Sequence, residues 1–143
     1  MRVPMQVPMI DDNLPVYVTD TNPLFWYLSD ASRLSPAADA VFRLAAAGQA
    51  HIMVPAIVLA EVLTLTQTAG QPMPAASLIE NINKSTEFIF SPLGPEQLIG
   101  MEAVDPSLRM HDRLIAAEAL AHKAPVITGD PSLRQTEAIE SIW

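Results

Sequence analysis

The stretch MHDRLIAAEALAHKAPVITGD, residues 110–130, places a helix-patterned run just before a short apolar strand and ends on an acid. Met110 to His122 reads as a helix, and Pro125-Val126-Ile127-Thr128 as a strand. On that helix Asp112 lines up with Ile115, Ala116 and Ala119, while Arg113, Glu118 and Lys123 lie off the line. The helix dipole favours an acid in the first turn by about 0.3–1 kcal/mol. That effect does not require the acid to share an apolar stripe, so Asp112 calls for a further reason.

Working outward, the same strand–acid pattern appears near the start. Pro15-Val16-Tyr17-Val18-Thr19 is a β-prone run of the kind buried on both faces, and Asp20 follows it directly. Asn22-Pro23 reads as a helix start, with Asn22 as N-cap and a short helix over residues 24–28. Ser35-Pro36 repeats that signal before a helix over residues 37–47, which Gly48 ends. His51–Val54 is a second strand, and Pro55 opens a helix to Thr68. A helix over residues 74–83, a third strand over 86–90 and a helix over 95–103 complete the alternation. The tail from Ser132 to Trp143 holds a short helix and a final edge strand.

Strands alternating with helices predict an α/β fold: three layers, α/β/α, around a central, mainly parallel sheet of four or five strands. Ligands of such sheets bind beyond the carboxyl ends of the strands. Asp20 and Asp130 both fall there.

The length of 143 residues suits one domain. We expect residues 1–14, with prolines at positions 4 and 8, to be an extended or poorly ordered lead-in, and residues 15–143 to form a single domain. Half of the residues are hydrophobic and 17% are charged, which excludes a disordered chain or a charged coiled coil. Eight basic against 16 acidic residues give a net charge of −8, which argues against a broad basic face for nucleic acid. An anionic substrate then needs a bound cation to meet it. The absence of cysteine excludes disulfides and thiolate chemistry. The apolar run from Ile52 to Leu65 is broken by Pro55 and Glu61 and is shorter than the roughly 18–20 residues of a membrane span. No signal peptide is read at the start, and a cytoplasmic location without membrane contact is expected.

Glu61 is the only formally charged residue from Leu44 through Ile79 if His51 is neutral. Helical spacing puts it with Ile57, Val58 and Leu65, and an unpaired carboxylate in such a stripe costs several kcal/mol. Pairing with a distant arginine is the ordinary explanation. For Asp20 and Asp130 it is turn or helix capping. Jointly, though, the four acids supply two strand ends and two apolar helix faces with few bases to neutralise them. Crowded carboxylates raise one another's pKa unless a cation intervenes. An oxygen-only donor set selects Mg²⁺ or Mn²⁺, and such an ion can activate water and stabilise charge on a phosphodiester.

These residues resemble the PIN-domain family, and VapC-like toxins of toxin–antitoxin pairs in particular. Residues 16–22, ValTyrValThrAspThrAsn, resemble the family's opening, and residues 56–62, AlaIleValLeuAlaGluVal, its Glu-bearing helix. MetHisAspArgLeuIleAlaAla at 110–117 and AlaProValIleThrGlyAsp at 124–130 are the most specific part, and the closing SerIleTrp resembles its last strand. The resemblance implies a metal-dependent endoribonuclease whose acidic quartet is Asp20, Glu61, Asp112 and Asp130. Asp20 and Asp112 would be the surest ligands of Mg²⁺ or Mn²⁺, with Glu61 and Asp130 binding directly or through water. Asn22 and Thr128 match polar positions beside the site. The implied partners are an RNA substrate, a cognate antitoxin that occludes the pocket, and a second copy in a homodimer.

One departure concerns Gly129, where many relatives carry a bulkier or basic residue; a glycine there implies a more flexible turn without a phosphate contact. Arg109 and Arg113 flank Asp112, and contact with RNA phosphates or pairing with a carboxylate are both open to them. His111 is expected to face away from Asp112, because adjacent helical residues point about 100° apart. Phe25, Trp26 and Tyr27 are read as core packing. Two other functions compete. A haloacid-dehalogenase-type phosphatase also puts an Asp after its first strand, but it needs a second acid two residues on, where this chain has Asn22. A catalytically inert PIN-like binding module would keep the fold without the chemistry.

Overall fold

The computed structural model describes residue 11 and residues 13–143. Most of the expected lead-in, residues 1–10 and residue 12, lies outside the described residues. Among these the sheet comprises β1 (Val16–Thr19), β2 (His51–Pro55), β3 (Phe88–Ser91), β4 (Val126–Ile127) and β5 (Ser141–Ile142). Its order is β3-β2-β1-β4-β5, and every neighbouring pair is parallel. The flanking helices are α1 (Thr21–Ser29), α2 (Pro36–Ala46), α3 (Ala56–Thr68), α4 (Ala75–Lys84), α5 (Pro95–Gly100), α6 (Met110–His122) and α7 (Pro131–Arg134). The α/β fold expected from the alternation is the one formed.

All five residues of β2 are buried, as expected of a parallel strand covered on both faces. Val18, Ile52, Val54 and Ile127 form the fully enclosed centre of the sheet, with Phe42 and Ile115 packed from the helices. Tyr27 stacks on Phe42 at 4.5 Å between ring centroids, so the aromatic run at 25–27 serves packing as expected.

The chain leaves β1 toward β2 and β3 on one side and later returns to build β4 and β5 on the other. The strand order therefore reverses between β1 and β4, and a crevice opens there beyond the strand ends. Val18 pairs with Val126 and Thr19 with Ile127, which brings the residues following both strands side by side.

Two local expectations are corrected. Helix α1 begins at Thr21 and its N-cap is Asp20, not Asn22, because the Asp20 carboxylate already accepts the Thr21 N–H at 2.7 Å. On α3 the buried stripe is Val58, Leu59, Val62 and Thr66; Glu61 is half-buried on its shoulder, as are Ile57 and Leu65. Elsewhere the caps read from sequence are present. Ser35 Oγ accepts the Ala38 N–H at 3.1 Å, and Gly48 follows α2 with a φ of 78°. At the start of the described chain, Leu14 N–H bonds to Asp11 O at 3.0 Å, and Asp11 N–H donates to His51 Nε2 at 3.1 Å.

Candidate metal centre

Asp20 sits at the junction of β1 and α1, where the backbone N–H of Asp20 donates to Ile127 O at 3.0 Å. Its carboxylate is held at both oxygens: Oδ1 accepts from Thr21 N–H and Oδ2 accepts from the Thr128 hydroxyl, each at 2.7 Å. Thr128 is fully buried and follows β4, so this hydroxyl fastens the ends of two neighbouring strands. The same Thr128 Oγ1 accepts the Asp130 N–H at 3.0 Å, and Asp130 Oδ1 in turn caps α7 by accepting from Ser132 N–H at 2.9 Å.

Asp112 arrives from α6. It is 1% exposed, the most buried of the four acids, in keeping with its alignment with Ile115, Ala116 and Ala119. Arg109 Nε donates to Asp112 Oδ2 at 3.2 Å, and Arg109 Nη2 donates to Asp130 Oδ2 at 3.2 Å. Both possibilities had been open for Arg109; here it pairs with carboxylates. Arg113 instead donates to Met101 O at 2.9 Å. His111 does not point away as expected: its Nε2 lies 3.4 Å from Asp112 Oδ1, because the 100° step between adjacent Cα–Cβ directions does not keep the far ends of two first-turn side chains apart.

Glu61 joins from α3 without an arginine. Its Oε1 accepts from the Thr21 hydroxyl at 2.8 Å. Thr21 was missed in the sequence reading, although its place one residue after a strand-end acid is the available signal. Asn22, expected beside the site, is exposed and bonds to none of the four acids.

The electrostatics follow from this crowding. Burial raises the Asp20 pKa above the usual carboxylate range; the bonds from Thr128 and Thr21 pull it back, and the charges of Asp112 and Asp130 push it up again. Asp20, just after β1, therefore feels the charges of Asp112 on α6 and Asp130 in the turn after β4, and Glu61 is tied to the residue beside Asp20. Oxygen-only, mutually repelling donors fit a hard divalent cation. As placed, no three acidic or histidine side chains among the described residues are grouped so as to hold a metal, and the positive charge between Asp112 and Asp130 is the Arg109 guanidinium. A hollow of about 590 Å³, lined by Val104, Leu108, Ala116, Leu120, Thr136 and Ile139 among others, contains none of the four acids.

Gly129 has a different reason from the flexibility first read there. A Cβ on it would stand 2.8 Å from Trp143 Cε2, so the glycine makes room for the terminal indole. Trp143 lies 5.8 Å from Trp26, which carries Arg33 over its ring.

The family model of the PIN domain matches residues 17–139. The chain belongs to the PIN-domain family. Two solved structures share this PIN fold. One is the crystal structure of VapBC2 from Rickettsia felis bound to a DNA fragment from their promoter, at TM-score 0.66 and 15% identity over 88% of this chain and 96% of that one. The other is a toxin–antitoxin complex from Klebsiella pneumoniae, at TM-score 0.62 and 17% identity over 86% and 94% of the two chains. No curated protein matches this PIN domain.

Proposed function

We propose that this PIN domain is a divalent-metal-dependent endoribonuclease and the toxin of a VapBC-type toxin–antitoxin pair. The observation that carries the reading is that hydrogen bonds through Thr128, Arg109 and Thr21 link Asp20, Asp130, Asp112 and Glu61 near the strand-order reversal. The family match supports nuclease chemistry, and the likeness to two toxin–antitoxin complexes supports a protein antitoxin as partner. RNA as substrate, a homodimer and a cytoplasmic setting belong to the same reading. The PIN match takes the place of the phosphatase alternative, in which Asn22 would stand where a proton donor is needed.

Asp20 and Asp112 would hold the ion, with Glu61 and Asp130 binding it directly or through water. When bound, Mg²⁺ or Mn²⁺ supplies an activated water and stabilises charge on the phosphodiester. The chain does the positioning. Thr128 fixes one oxygen of Asp20 and the backbone of Asp130, and Thr21 aims Glu61. Burial keeps Asp112 from swinging into solvent. With a chain charge of −8, RNA contact is local, and a basic segment of an antitoxin is attracted.

The test is cleavage of RNA by the wild type and Asp112→Asn with Mg²⁺ or Mn²⁺ present, alongside growth arrest on expression. Loss of an outer-shell partner costs about 10–100-fold, so loss of a ligand is expected to cost at least about 100-fold. An unchanged rate removes the role of Asp112. A wild type that cleaves nothing and binds no Mn²⁺ in a calorimetric titration favours an inert binding module instead.

A further inference from the structure

We propose that Arg109, whose guanidinium bridges Asp112 and Asp130, is a phosphate-binding residue of this site that competes with a divalent cation for those two carboxylates. The proposal rests on the metal-nuclease reading and assigns a role that the acids alone do not give. Arg109 contacts each carboxylate through a single nitrogen, Nε to Asp112 and Nη2 to Asp130, both at 3.2 Å. These are two separate single contacts, not the parallel two-point pairing that makes guanidinium–carboxylate pairs tight. The Arg109 side chain is 65% exposed, so its own charge is partly screened, most of all in the contact to Asp130, which is itself 26% exposed.

A guanidinium has five N–H donors and keeps its charge at every ordinary pH. Two are used here, which leaves three for an oxyanion. Arg109 is also the N-cap residue of α6, so release from the carboxylates cannot carry it far from Asp112. The N-terminus of this thirteen-residue helix adds partial positive charge at the same place. An ion that takes the carboxylates removes the guanidinium's partners and leaves a tethered cation beside the site. The chemistry that then satisfies it is a phosphate oxygen. In a chain of net charge −8 this resolves how an anionic backbone is received: metal and Arg109 exchange places as counter-ions of Asp112 and Asp130.

The test compares the full chain with Arg109→Gln. Arg109 caps α6 through its backbone without a side-chain cap bond, so the variant is expected to fold, with a melting temperature lowered only by the loss of the two ion pairs. Calorimetric titration with Mn²⁺ alone reads the competition: removing the internal cation should tighten Mn²⁺ binding roughly threefold to tenfold, the scale of two partly exposed ion pairs. Uridine 5′-monophosphate, which has no diester to cleave, reads the second half. Its affinity in the presence of Mn²⁺ should fall about tenfold in the variant, the loss of one charge-assisted contact, and without metal it should be the same in both proteins. Mn²⁺ affinity that is unchanged or weaker in Arg109→Gln overturns the competition while leaving the nuclease reading intact. Nucleotide affinity unaffected by the substitution overturns the phosphate role. A wild type that binds no Mn²⁺ overturns the nuclease reading, and this proposal with it.

Discussion

The Thr128 hydroxyl donates to Asp20 Oδ2 at 2.7 Å across 108 residues of sequence, joining the ends of β4 and β1 where the strand order reverses. Because the same oxygen accepts the Asp130 N–H, one buried side chain sets two of the four acids. Thr128→Val keeps the shape and removes both bonds. We expect a stability loss of about 1–3 kcal/mol, from the buried groups left unpaired, and RNA cleavage lowered about 10–100-fold. Urea unfolding and single-turnover cleavage measure the two effects separately.

Asp20 has a pKa raised in the folded state, first by burial. An acid with a raised folded pKa weakens the fold at pH values above that pKa, and the penalty disappears as the pH falls below the unfolded value. Asp20→Asn should therefore melt higher than wild type at pH 8 in EDTA, with the difference shrinking as acid protonates Asp20 in the wild type. Excess Mn²⁺ at pH 8 should narrow or reverse the order, because a ligand stabilises only the form that binds it. Thermal scans across pH, with and without Mn²⁺, check both halves.

Gly129→Ala places a methyl group 2.8 Å from the Trp143 indole. A destabilisation of about 1–2 kcal/mol is expected from the forced shift. Trp143→Leu in the same chain should recover part of it, and a double-mutant cycle reads the coupling between the two positions.

Glu87 offers a control away from the acids. Burial raises its pKa while the nearby Tyr27 hydroxyl lowers it, and its Oε2 is buried without a partner. The folded pKa is raised, so the sign is that of Asp20. Glu87→Gln should increase the melting temperature near pH 8 and lose that advantage near pH 4. RNA cleavage should be unaffected.

Much of the fold was legible because its signals are local. The helix Met110–His122 was read with its observed bounds, and the strand after it begins where Pro125 allows. Asp112 stood out because a carboxylate aligned with Ile115, Ala116 and Ala119 must be buried, and it is. Asn22 misled for an equally local reason. Asn-Pro is a good helix start, yet Asp20 takes the cap because its carboxylate reaches the Thr21 N–H first. Glu61 was placed one position too deep, since periodicity gives a face but not where that face meets its neighbours.

The amino-acid order by itself determined the alternation of strands and helices, the acids at the strand ends and the burial of Asp112, all of which depend on spacing within a few residues. Tertiary structure alone decided that Thr21 meets Glu61, that Thr128 meets Asp20, that Arg109 bridges Asp112 and Asp130, and that Gly129 yields space to Trp143. Most of those contacts join elements far apart in the chain. They exist because strand order and register carry side chains together, and no local pattern encodes that distance.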